Sequence, residues 1–353
     1  MVEPWVVLAS LALEAAIGYP AALHLRIPHP VVWAGNAISA FERAWNKPAY
    51  SFRRRRMLGF VAVVLVGGAA VLLGLGVQWI VDRLAQAIVW SAGGGAAGAA
   101  SVAGAVGAAG IGGASSLACV VHLAAMAVIA LVGTVGLAQR SLFEHVNNVL
   151  ASLRAGDLPA SRERVSLIVG RDTRQLDAAG VSAAALESLA ESFNDGIVAP
   201  AFWFLIGGLP GLFAYKVNHT ADSLIGHKEE RWRAFGWTAA RVDDVVNLVP
   251  ARIAGMLLVL AGFRGFGVML SDAAKHASPN AGWPEAAMAG ALRVRLGGPA
   301  TYDGVLHERP VFGTGPAPGV AELQRGLRLY VIACGVMWLA IAGVGAAGAL
   351  CPH

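Results

Sequence analysis

Glu187, Glu191 and Asp195 follow one another at intervals of four residues. At about 100° per residue that spacing lays three carboxylates along one face of a helix. Such a face repels itself unless a cation lies against it, so either Mg²⁺ or a cluster of basic side chains is the expected neighbour, with a hydrated acidic stripe as the bland alternative. A second constellation is Arg241, Asp243, Asp244 and Asn247, with Arg252 beyond it. Paired aspartates with an amide one turn later offer the hard oxygens a magnesium–nucleotide complex takes, and the arginines can neutralise phosphate; an Arg241–Asp244 ion pair is the competing reading. In Gly170-Arg171-Asp172-Thr173 the arginine could grip a phosphate or carboxylate with its planar fork, while Asp172 or Thr173 could simply cap the next helix. Pro284 suits the first turn of a helix whose free amides would face Asn280, an anion-binding arrangement in which Glu285 could also serve only the helix dipole.

Other residues carry less. His219 and His227 have no second nitrogen or sulfur ligand at diagnostic spacing, and Cys119, Cys334 and Cys351 show neither metal nor redox spacing. There is no P-loop, no G-x-S-x-G, no H-E-x-x-H and no dinucleotide fingerprint.

The elements that must position these residues are set by composition. Of 353 residues 56% are hydrophobic, 14% are charged and 44 are glycine, with mean hydropathy +0.60. Soluble domains carry about a quarter charged residues, so a soluble enzyme, a disulfide scaffold and a disordered chain are all excluded in favour of a membrane protein. Four apolar runs predict transmembrane helices: Val2 to Gly18, Leu58 to Ile80, Leu117 to Ala138 and Leu329 to Leu350. The first begins acidic, which favours an uncleaved helix over a signal peptide. Ser91 to Ser116, almost all Gly, Ala and Ser, reads as a flexible extracytoplasmic loop. Phe202 to Tyr215 and Ile253 to Leu270 either form a shallow re-entrant pair or both cross. Arg53 to Arg56 precede the second run, so that end is expected in the cytoplasm, and parity then puts the segment after Arg140 there too. That segment matters because residues 140 to 252 hold 25 of the 49 charged side chains. Ser182 is expected to cap a helix running to Phe193, with Asn194-Asp195-Gly196 breaking it, and Leu142 to Leu153 to form an amphipathic helix. Net charge is +5, and the arginines after residue 170 suit phosphates better than nucleic acid. The expected architecture is an all-α polytopic integral membrane protein with a helical cytoplasmic catalytic region. Within a single domain spanning 1–353, membrane helices occupy 1–139, the polar catalytic region 140–328 and a last transmembrane helix 329–353.

These blocks resemble the CobD/CbiB family, the adenosylcobinamide-phosphate (cobinamide) synthases of cobalamin biosynthesis. The resemblance rests on Gly170-Arg-Asp-Thr173, Glu187-Ser-Leu-Ala-Glu191, Asp195-Gly-Ile-Val-Ala-Pro200, Asp222-Ser223, Phe235-Gly-Trp237, Ala240-Arg-Val-Asp-Asp244, Pro250-Ala-Arg252 and Ser278-Pro-Asn-Ala-Gly-Trp-Pro-Glu-Ala-Ala-Met-Ala-Gly-Ala-Leu292. His29-Pro30 also fits. Likeness covers nearly the whole chain and is strongest from about 165 to 300. One departure is His219 in His219-Thr-Ala-Asp-Ser223, where the family usually has asparagine. The Gly/Ala stretch matches nothing in the family.

The resemblance implies ATP-dependent amide formation between a propionate carboxylate of adenosylcobyric acid and the amine of (R)-1-aminopropan-2-ol or its O-phosphate. A carboxylate does not condense with an amine unaided, so an acyl phosphate is expected. It implies Glu187, Glu191, Asp195, Asp222, Asp243 and Asp244 as catalytic residues, of which Glu191, Asp195, Asp243 and Asp244 would contact Mg²⁺. Arg171, Asp172, Arg241, Arg252, Asn280 and Glu285 would bind substrate or phosphate. The corrinoid is a substrate rather than a prosthetic group, the other partners are ATP, the amino-alcohol and membrane lipid, and no nucleic acid is expected. Association with other proteins of the cobalamin pathway is left open, as is the choice between free and phosphorylated amino-alcohol. A membrane transporter or corrinoid-binding component without chemistry is the alternative, with an intramembrane prenyl transferase third.

Overall fold

The computed structural model describes residues 2–18, 28–91 and 113–350. Most of the Gly/Ala stretch, residues 92–112, lies outside the described residues, as does Cys351. Its last residues are helical rather than loop, because the following helix already starts at Gly113.

In chain order the helices are α1 Pro4–Ile17, α2 Pro30–Trp45, α3 Phe52–Val89, α4 Gly113–Gly133, α5 Gln139–Arg154, α6 Leu158–Ser166 and α7 Ala178–Phe193. A π-helical turn, Asn194–Val198, leads into α8 Ala199–Ile225. Then come α9 Trp237–Val246, α10 Leu248–Gly262, α11 Phe266–Asp272 and α12 Gly282–Leu292. Strands β1 Leu296–Gly297, β2 Ala300–Tyr302, β3 Val305–His307 and β4 Val311–Phe312 follow, and α13 Val320–Leu350 closes the described chain.

The molecule is mostly helical. It departs from the all-α expectation in two small antiparallel pairs, β1 with β4 and β2 with β3. The reason is local. Asp303 and Gly304 adopt φ of 48° and 78°, the left-handed pair that a two-residue hairpin turn requires, and Asp-Gly supplies it at low cost.

Among the described residues four helical stretches are long and apolar enough to cross a membrane: Phe52–Val89, Ser116–Arg154, Ala178–Ile225 and Val320–Leu350. The α9–α10 pair, bent by 48°, would add a fifth as a broken span or a re-entrant loop. Only 17% of the most apolar stretch of Phe52–Val89 is buried within the protein, and Leu72, Leu73, Trp79 and Ile80 point outward, a surface that suits lipid rather than water. Two span expectations are revised. The first run folds as only 14 residues of helix, short of a full crossing. Phe202 to Tyr215 is not a short isolated segment but lies within Ala178–Ile225, which stays apolar although Gly208 departs from helical geometry and Pro210 follows it.

The chain builds two compact units. The first comprises Met1–Leu137, Pro200–Arg241 and Ala340–His353, and the second Ala138–Ala199 and Val242–Leu339. In the first unit Leu11, Phe204, Leu209, Leu212 and Phe235 are fully enclosed. Glu42 receives a bidentate grip from Arg231, at 3.0 Å to each oxygen, and a third bond from Asn46. Burial alone would raise the Glu42 carboxyl, but Arg231 and Asn46 outweigh it and hold the pKa low.

The second unit is organised around α12. Nearly every residue of this Gly/Ala helix is buried, with α10, α11 and α7 packed on it. Small residues permit that approach: a Cβ on Gly265 would meet the Ala291 nitrogen at 2.7 Å, and Gly265 itself sits at φ 99°. The amphipathic α5 buries Leu142, Val146, Val149, Leu150 and Leu153 along one stripe, as its spacing predicts.

Candidate functional site

Helix α7 starts at Asp177, whose side chain accepts from the Gly180 amide at 2.7 Å. Ser182 is not the cap; it sits one turn inside and returns its hydroxyl to the Ala178 carbonyl. Two turns on, Glu187 points inward and is 5% exposed. Its Oε2 lies 3.2 Å from Arg171 Nη2 and 3.0 Å from Arg309 Nη2, while Oε1 accepts from the Gly297 amide at 2.9 Å. Both oxygens of Glu187 are thus engaged, which makes it a counter-ion that fixes two guanidiniums.

Arg171 is delivered by its neighbours. Ser188 on α7 donates to the Ile168 carbonyl at 2.7 Å. On the other side Asp172 gives its amide to the Thr301 carbonyl and accepts the Gly304 amide on its carboxylate, both at 2.8 Å. Asp172 therefore anchors the β2–β3 hairpin instead of capping a helix.

Arg171, Glu187, Glu191, Glu285, Tyr302 and Arg309 line an open cavity of about 120 Å³. That is room for a few water molecules or one phosphoryl group, not for a whole nucleotide. Glu285, in the first turn of α12, is 2% exposed, and its Oε2 has no hydrogen-bond partner among the described residues. Burial, followed by the nearby Glu191 and Glu187 carboxylates, pushes its pKa well above the ordinary range, which favours the neutral acid. His276 Nε2 stands 3.8 Å from its other oxygen, too far for a hydrogen bond. Arg309 stays charged: burial opposes it, but Glu187 outweighs that. With Glu285 neutral, two guanidiniums face two carboxylates, one of them already committed, and the cavity can accept a small anion.

A second constellation forms where the chain was expected to break. The Asn194-Asp195-Gly196 segment does not interrupt the helix but widens it into the π turn Asn194–Val198, a local distortion common at functional sites. Asn194 Nδ2 donates to Asp195 Oδ1 at 2.6 Å and to Asn247 Oδ1 at 3.0 Å, and Asn247 Nδ2 donates to Asp243 Oδ2 at 3.0 Å. Two amides thereby tie two carboxylates into one relay. Asn280 Nδ2 donates to the Asp244 carbonyl at 2.8 Å, and Arg252 approaches Asn280 Oδ1 at 3.4 Å while stacking over Trp283 at 4.6 Å.

The expected residues therefore fall into three groups. Arg171, Glu187, Glu191 and Glu285 share the cavity; Asp195 and Asp243 share the relay, with Asp244, Arg252 and Asn280 linked beside it; Asp222 and Arg241 belong to the first unit. Asp222 packs where any Cβ on Gly226 would collide with its carboxylate. Arg309, Tyr302 and Asn194 were not anticipated as site residues. Arg309 had only its place before Pro310 to mark it, whereas Asn194 adjoined an acidic residue already singled out.

Among the described residues no group of three or more His, Cys, Asp and Glu side chains is arranged to hold a metal ion. The donor set still fits Mg²⁺ of one kind. The relay offers hard oxygens only, and Asn194 Oδ1 is buried without a hydrogen-bond partner among the described residues. Magnesium takes one or two protein carboxylates when its remaining ligands come from elsewhere, so oxygens of this type suit an ion that brings most of its own ligands.

Residues 7–330 match the family described as CobD/Cbib protein. The chain is 44% identical over 337 residues to "Cobalamin biosynthesis protein CobD" of Rhodobacter capsulatus, covering 94% of each sequence. Proteins of the same name from a Sinorhizobium species and from Brucella anthropi are 39% and 42% identical over 341 and 311 residues, covering 93% and 86% of this chain and 94% and 84% of theirs. No solved structure matches.

Proposed function

Because the chain belongs to the CobD/CbiB family of cobalamin biosynthesis, we propose that it joins the amine of (R)-1-aminopropan-2-ol, or its O-phosphate, to a propionate carboxylate of adenosylcobyric acid at the expense of ATP. The carboxylate attacks the γ-phosphorus, ADP leaves, the bound ammonium gives up one proton to become the free amine, and this attacks the acyl phosphate; phosphate departs carrying the proton lost from nitrogen, so one proton is released for each ammonium consumed. Little of this requires a nucleophile from the protein. Positioning and charge neutralisation are what the chain must supply.

The observation that carries this reading is the shared cavity. Arg171, Glu187, Glu191 and Glu285 come from three separated blocks of the sequence and line one polar pocket with Arg309. Arg171 and Arg309, held in place by Glu187, would stabilise a phosphoryl group or the phosphate that leaves. Glu285, kept neutral by burial, can donate a hydrogen bond to an oxygen there without repelling the anion. Glu191, exposed toward solvent, can receive the ammonium and its proton. Magnesium would enter on the nucleotide and neutralise its phosphates, with Asp195 and Asp243 each able to offer an oxygen. Asp244, Arg252 and Asn280 would orient the nucleotide beside them. The Arg53 to Arg56 tract, by the excess of basic residues on cytoplasmic loops, supports a cytoplasmic position for this region.

The test is direct. Membranes containing the protein are incubated with adenosylcobyric acid, Mg²⁺-ATP and each amino-alcohol, and the corrinoids are read by mass spectrometry. An amide product with matching ADP supports the ligase. A corrinoid that binds or crosses the membrane unchanged would replace it with the transport reading.

A further inference from the structure

Helices α5 and α13 enclose a second hollow of about 400 Å³, lined by none of the residues assigned to chemistry. Its floor is Leu150 and Leu327, 2% and 5% exposed, and Val331 and Ile332, each half-exposed, form a wall. Arg154 and Arg328 also line it, and Asn147 and Gln324 are its remaining polar members, so no carboxylate faces the two guanidiniums from the lining. Among the described residues neither arginine makes a hydrogen bond or an ion pair, although Arg325, one turn before Arg328, is matched by Glu322 at 3.1 Å.

The setting decides what such a groove would take. Arg328 directly precedes Leu329 to Leu350, an uncharged run within a helix long enough to span, so it stands where a membrane helix meets the headgroup layer. Arg154 closes α5, whose other face is polar. A groove with an apolar trough, two uncompensated cations at its rim and a place at the bilayer boundary matches an amphiphile with a hydrocarbon tail and an anionic head. A corrinoid with its side arms is too large for it.

We propose that this groove is a specific site for one anionic phospholipid, with the headgroup phosphate between Arg154 and Arg328 and an acyl chain along Leu150, Leu327, Val331 and Ile332. The site anchors α5 against the spanning helix α13 without entering the reaction.

Full-length protein in mixed detergent micelles containing equal phosphatidylglycerol and phosphatidylcholine is analysed by native mass spectrometry. Retained phosphatidylglycerol should exceed phosphatidylcholine, and the double variant Arg154→Gln/Arg328→Gln should reduce that preference by roughly thirtyfold, two basic contacts being lost. Arg140→Gln, a neutralisation of the same helix outside the groove, should leave it unchanged. Ile332→Trp, which fills the trough and keeps both charges, should also abolish retention, and covers the case in which the double variant does not fold. Excess inorganic phosphate should fail to displace the lipid; displacement would mean a phosphate site only. Equal retention of the two lipids, an equal loss in Arg140→Gln, or a protein dimer in place of the lipid adduct would each overturn the proposal.

Discussion

Asn194 donates to Asn247 across 3.0 Å in a buried bond between residues 53 apart in the sequence. That contact joins the π turn after α7 to the end of α9, and each amide then orients an aspartate of its own, Asp195 or Asp243. Replacing Asn247 by Leu removes the acceptor for Asn194 and the donor for Asp243 together. The expected cost is about 1–3 kcal/mol in stability, with a larger fall in kcat than in substrate affinity. Thermal unfolding and steady-state amide formation measure the two, and a variant with both unchanged would reduce the relay to a packing detail.

Glu187 holds two guanidiniums and one backbone amide. Glu187→Gln keeps the shape but leaves the nearly buried Arg171 and the half-buried Arg309 without their counter-charge, a change of up to about 3–5 kcal/mol when one partner of a buried pair is lost. Arg309→Lys keeps the charge and loses the planar fork, so it should lower phosphate affinity while folding normally. A Glu187→Gln protein within about 0.5 kcal/mol of the parent would remove this residue from its organising role.

The pH behaviour of Glu285 has a definite sign. Its raised pKa means the folded protein keeps a proton that the unfolded chain releases, so its contribution is fully present below the ordinary glutamate value and is lost as pH rises through the raised one. Glu285→Gln, fixed in the neutral form, should match the parent in thermal midpoint below the ordinary glutamate value and exceed it increasingly as pH rises above that value. A difference between the two that does not change as pH rises would show that Glu285 is ionised in the fold.

Asp244 has its carbonyl fixed by Asn280 at 2.8 Å. Asp244→Asn should abolish amide formation while the protein stays in the membrane at normal abundance. Undiminished turnover would show that its carboxylate charge is not needed.

Asn148 is exposed on the polar face of α5. In an Asn148→Cys variant, an impermeant maleimide should label inverted membrane vesicles and leave intact cells unlabelled at this position. Labelling in intact cells would reverse the orientation of the catalytic region.

Much of this protein was legible as sequence because the bilayer is an unforgiving solvent. Leu58 to Ile80 and Leu329 to Leu350 announce themselves by length and absence of charge, and the four-residue spacing of Glu187 and Glu191 does place both at one cavity. Caps and breaks were less legible. Asp177 rather than Ser182 starts α7, and the Asn-Asp-Gly segment widens a helix instead of ending it, because a cap or a π turn depends on what packs beyond it. Residue types, their spacing on a single helix and the family were thus determined by the sequence itself. The tertiary structure alone decided that Arg309 meets Arg171 on Glu187, that Asp172 anchors a hairpin, and that Asn194 meets Asn247. Hydrophobic period along one element is a local property, whereas the Asn194–Asn247, Glu187–Arg309 and Asp172–Gly304 pairings require residues 53, 122 and 132 apart to be brought within bonding distance, and no local pattern encodes that closure.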